Sequence, residues 1–150
     1  MRIRDRWAAL KRSLVLNVQL IRMEAHTLRA YAALAAAAEH RDASGKFLRS
    51  AVADARSIAG EKRPWGAGTV SLINAAVCHQ KGEATEAGTH LERSVEAFES
   101  CGMQMHVAAA RRRLGELRDD RALIEDADKF MQAQGVDRPD RMIHVLAPGF

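Results

Sequence analysis

Aromatic residues are scarce in this chain, with two Trp, one Tyr and four Phe. The apolar share of 47% is carried instead mainly by Ala, Leu and Val, a mix that suits helices packed closely side by side. Only three prolines occur, Pro64, Pro139 and Pro148, so little of the chain is obliged to break. The two cysteines, Cys78 and Cys101, have no paired spacing and fall inside helical patterns. That argues against a disulfide framework and for reduced, structural thiols in a cytoplasmic protein. Long apolar runs are missing too. The run Leu14 to Leu20 is interrupted by Asn17 and Gln19 and lacks a small-residue cleavage site, so it does not read as a secretory signal. No stretch is long enough to span a membrane. No segment alternates apolar and polar residues between turn signals, which speaks against strands. The chain's 150 residues suffice for one domain with a real core.

A net charge of +4 invites a nucleic-acid partner, but its distribution weakens that idea. Arg2, Arg4, Arg6, Lys11 and Arg12, set against Asp5, account for the whole excess. The rest of the chain is balanced, which describes a solvated surface and not an electrostatic funnel. A nucleic-acid-binding helical protein using this basic N-terminus is the alternative function.

What the sequence does have is helical periodicity. Trp7, Leu10, Leu14, Val18 and Ile21 form one stripe and predict a first helix over about Arg4 to Arg22. A second is expected over Met23 to His40, with Leu28, Tyr31, Leu34 and Ala35 on its face. Asp42 is a candidate N-cap for a third helix carrying Phe47, Leu48, Ala51, Val52, Ala55 and Ile58, and Gly60 is its candidate C-cap. Pro64 opens a fourth, with Trp65, Leu72, Ile73, Ala76 and Val77, ending at Lys81-Gly82. The fifth (Ala87, Leu91, Val95, Phe98) ends near Cys101-Gly102, and the sixth carries Met103, Val107, Ala110, Leu114 and Leu117. A seventh, with Leu123, Ile124, Ala127, Phe130 and Met131, ends at Gln134-Gly135. A short last helix, Asp140 to Leu146, precedes Ala147 to Phe150. Helices joined by so few residues turn back on their neighbours. The expected architecture is therefore a single all-α domain: a stack of hairpins over about 23–60, 64–101 and 103–135, closed by a capping segment over 137–150.

The repeat is degenerate. Leu91, Ser94, Val95 and Phe98 lie about 43 residues after Leu48, Ala51, Val52 and Ala55, and about 33 before Ile124, Ala127, Asp128 and Met131. In the middle hairpin, Gly82 falls in the turn, and Ala87 and Ser94 take small positions, with bulky Leu91 between them. Close helix crossing needs a small residue beside each large one. This pattern resembles the tetratricopeptide repeat (TPR), although Ser71 and Cys78 stand where its first helix carries a Trp and a Tyr. On that alignment the first helix of each pair lines a groove, and Thr69, Leu72, Ala76, His79 and Gln80 line it in the middle hairpin.

No residue constellation points to catalysis. His40-Arg41-Asp42 spells the kinase catalytic-loop tripeptide, but Phe47 stands where that loop needs a metal-holding Asn. Gly66-Ala67-Gly68-Thr69 lacks the Gly-Lys-Ser/Thr ending of a phosphate loop and follows no strand. The six histidines are scattered singly, so no metal site and no cofactor are expected. Arg111-Arg112-Arg113 is the sharpest charge run. One apolar stripe through Ala110 and Leu114 places all three on the outer face, solvated or set against an acidic peptide.

The last stretch carries a further likeness. Arg112, Arg113, Leu114 and Gly115, then Met131, Gln134 and Gly135, then Pro139, Arg141 and Met142, then Pro148-Gly149-Phe150 follow one another at characteristic intervals. Over roughly residues 64–150 this resembles the C-terminal TPR-like region of large bacterial proteins that begin with a serine/threonine protein kinase domain. The kinase domain itself has no counterpart here: there is no Gly-rich phosphate loop, no Val-Ala-x-Lys strand and no Asp-Phe-Gly. The resemblance implies a non-catalytic interaction or scaffolding tail whose partner is a protein, a peptide, or the missing upstream repeats and kinase domain. Trp7, Leu10 and Leu14 have no preceding element to cover them, so an N-terminal contact face and self-association through it are expected as well.

Overall fold

A computed structural model describes residues 17–150; Trp7, Leu10 and Leu14 lie outside that range. Among the described residues seven α-helices follow one another: α1 Gln19–Glu39, α2 Ser44–Gly60, α3 Pro64–Gln80, α4 Ala84–Ser100, α5 Gln104–Arg118, α6 Arg121–Ala133 and α7 Pro139–Leu146. A 3-10 turn, Arg41–Ala43, joins α1 to α2, and the described residues contain no strand. No helix among them is long and apolar enough to cross a membrane.

Three local expectations are overturned. The break expected between Arg22 and Met23 is absent, and α1 runs through it. Neither residue is a Gly, a Pro or a capping side chain, so nothing there interrupts the hydrogen-bond ladder. Asp42 does not cap α2. It sits inside the 3-10 turn, and the N-cap position belongs to Ala43, which has no side chain to offer. Gly60 is helical, and the left-handed residue after α2 is Lys62, at φ 51°. Pro64 in the following turn holds Arg63 extended (φ −95°, ψ 138°), which fixes where α3 starts.

Later helix ends share one device. After α3, Glu83 N–H donates to Cys78 O (2.9 Å) and Gly82 N–H to His79 O (2.9 Å), a Schellman closure with Gly82 left-handed at φ 81°. The same pair of bonds closes α4 at Gly102 and α6 at Gly135. Asp120 then starts α6, its carboxylate accepting from Leu123 N–H at 3.1 Å.

Each helix packs on its sequence neighbour from α1 to α6. In addition α1 touches α3, and α7 lies on α5 and α6. The buried residues form two apolar clusters. One draws on α1, α2 and α3, with Met23, Leu34, Leu48, Ile58 and Ile73 at its centre. The other runs from α3 to α7 and includes Leu72, Leu91, Phe98, Leu114, Met131 and Ile143. Tyr31 and Phe150 pack against both.

Two close approaches fix the arrangement. Where α3 crosses α4, the Phe98 ring lies so near Gly68 that a Cβ there would come within 2.7 Å of it, and Ser94 Oγ donates to Gly68 O at 2.9 Å. Between α1 and α2, the wholly buried Asp54 carboxylate receives His26 Nδ1 (2.6 Å) and a two-pronged Arg29 guanidinium. A buried carboxylate is tolerable when its oxygens are paired and hydrogen-bonded in this way.

Candidate functional site

α7 ends at Leu146, and the chain continues without helical structure as Ala147-Pro148-Gly149-Phe150. Pro148 cannot extend the helix hydrogen bonding, and Gly149 takes φ 92°, a conformation L side chains avoid. The segment turns back over the molecule and lies against α1, α3 and α5, the first helix of each expected hairpin.

Side chains on these helices hold its backbone. Arg113 on α5 donates from Nε to Ala147 O at 2.9 Å and reaches Ile143 O from Nη2 at 3.5 Å. Gln80 on α3 donates from one amide nitrogen to Gly149 O (3.0 Å) and to Leu34 O on α1 (3.0 Å), so one amide ties α1, α3 and the segment together. Gly149 fits so closely that a Cβ would meet Leu34 Cβ at 2.9 Å, Gln80 Nε2 at 2.9 Å and Ala76 Cβ at 3.3 Å. The Phe150 ring then sits 5.2 Å from the His79 ring and 5.2 Å from the Arg113 guanidinium carbon, a cation–π distance. A cavity of about 120 Å³ beside it is lined by His79, Arg113, Glu116, Leu117 and Phe150.

Of the five residues expected to line a groove, three meet here: Ala76, His79 and Gln80. The other two lie deeper. Thr69 is buried with its hydroxyl on Trp65 O (3.4 Å), and Leu72 belongs to the second core cluster. Local desolvation, and then the positive charge of Arg113, hold His79 below the usual imidazole pKa against a smaller upward pull from Glu116.

Arg113 is the largest departure from expectation. It points inward, only 4% exposed, and is paired with Glu116 through Nη1 at 2.7 Å. α5 is buried on more than one side: Val107, Ala108, Ala109 and Ala110 are all covered. A single stripe through Ala110 and Leu114 therefore hides a second inward row running from Ala109 to Arg113. Arg112 is also largely covered, bonding Asp128 Oδ1 at 2.7 Å and Glu116, and only Arg111 stands on the outside, against Glu99 at 2.5 Å.

His40-Arg41-Asp42 lies at the α1–α2 turn, with the His40 ring 6.4 Å from Phe47. Cys78 and Cys101 are free and half-buried, not fully enclosed. Burial raises the Cys78 pKa, with Glu83 adding to the effect. Among the described residues no group of three His, Cys, Asp or Glu side chains could hold a metal ion. No family model matches this chain, and neither a curated protein nor a solved structure matches it.

Proposed function

We propose that this chain is a non-catalytic, TPR-like helical-repeat module that binds polypeptide along the face made by α1, α3 and α5. The observation that carries this reading is the way Gln80 and Arg113 hold a non-helical segment by its carbonyl oxygens. Hydrogen bonds to main-chain carbonyls recognise extended polypeptide as such, and the few side-chain pockets between them supply specificity. The order of packing supports a hairpin stack, in which the first helices share one face. The resemblance of residues 64–150 to the TPR-like end of kinase-bearing bacterial proteins supports a setting: a tail that docks partners for a serine/threonine kinase, in the same chain or a separate one.

Selection of displayed random peptides on the immobilised chain tests this. Peptides enriched by the wild type are expected to be lost on a His79→Glu, Gln80→Glu variant that keeps its helicity. Identical enrichment on both, or none on the wild type and none on Phe150→Ala, counts against a peptide site on this face.

A further inference from the structure

The same face carries information about what it binds, because it is already filled. The 147–150 segment meets the helices at two positions that depend on its own side chains. At Gly149 any Cβ collides with α1 and α3, and φ is positive. At Phe150 the ring lies between His79 and Arg113 and touches both core clusters. The remaining hydrogen bonds are on carbonyl oxygens, and Ala147 is itself wholly buried, so a small residue is needed two places before the glycine. The face therefore reads glycine followed by an aromatic, in a non-helical segment. The cavity adjoining Phe150 is lined in part by Glu116, whose carboxylate pairs with Arg113.

Resting on the peptide-binding reading above, we propose that residues 147–150 are an intramolecular competitor, occupying the site at which a partner polypeptide inserts a non-helical Gly-aromatic segment. The site opens when the resident segment leaves, and the partner replaces it contact for contact. A tethered occupant acts at an effective concentration on the order of millimolar, so even a four-residue segment with few contacts suppresses binding from solution. That suppression is removed in proportion to the fraction of molecules made open.

The test uses the full chain and a fluorescent synthetic peptide with the sequence of residues 144–150, followed by anisotropy, with an Ala-for-Gly peptide as its control. Gly149→Ala expels the resident segment through the Cβ collision. Phe150→Ala expels it more gently by removing the ring. Both variants are expected to bind the probe at least about tenfold more tightly than the wild type, with unchanged helical circular dichroism. A probe with Ala in place of its Gly is expected to bind none of the three. Equal affinity for wild type and variants overturns the proposal, as does binding of the Ala probe. Loss of helicity in both variants overturns it too, because the segment is then a structural cap that the fold cannot release. Displayed peptides that depend on His79 and Gln80, together with a probe indifferent to Gly149→Ala, would leave the peptide site standing and remove only the competitor.

Discussion

Gly68 and Gly149 are both constrained by what a methyl group would strike, and the consequences differ. At Gly68 the obstacle is the buried Phe98 ring at the crossing of α3 and α4, with no soft neighbour to yield. Gly68→Ala is expected to destabilise the protein by about 1–3 kcal/mol, the usual cost of overpacking a core, read as a lowered melting temperature without loss of the helical spectrum. At Gly149 the obstacle can be avoided by leaving. Residue-scale legibility followed the same division. Ala87, Leu91 and Ser94, which are wholly buried, were readable because small and large residues alternate at helical spacing. Arg113 was not readable, because a charge is assigned to solvent unless its partners are known, and its partners are carbonyl oxygens some 30 residues away in the chain.

Among the elements, α1 and α2 are held together by polar clamps as well as apolar contacts. Near one end Glu61, just past α2, takes Arg22 Nε at 2.5 Å and Gln19 Nε2 at 3.0 Å. The Arg22 hydrogen bond, then that of Gln19, lowers the Glu61 pKa from 4.5 to about 2. A carboxylate depressed on folding stabilises the folded state above its unfolded pKa, and that contribution fades as pH falls through the interval between the two values. Glu61→Gln is expected to lower the melting temperature at neutral pH. The gap to the wild type should close as pH drops from about 4.5 toward 2; a gap independent of pH would assign the loss to packing instead. The ends of α3 to α6 were legible because each falls in a turn with a left-handed residue, three of them glycines, that chain chemistry announces. No stop signal stands at Arg22-Met23, so the boundary expected there had no chemical support, and α1 runs through it. The α1–α2 junction lies where the break at residues 41–44 is expected, but without a capping side chain, so the role expected of Asp42 is not filled.

For the molecule as a whole, the all-helical class and the packing of each helix on its sequence neighbour were readable from helical periodicity and short connections. The folding back of residues 147–150 onto helices more than 30 positions earlier was not readable, since extended segments carry no periodicity and their contacts are all distant. That feature also bears on the order of events in folding. Neighbouring helices meet over short loops, whereas the bond from Gln80 to Gly149 joins residues 69 apart. Short-range contacts form early and long closures late. Interactions absent from the transition state govern unfolding alone. In stopped-flow measurements Gly149→Ala is accordingly expected to accelerate unfolding while leaving the refolding rate as it is in the wild type. The segment that fills the face is then a latch on the lifetime of the folded chain, set after the rest has formed and felt only when the chain begins to come apart.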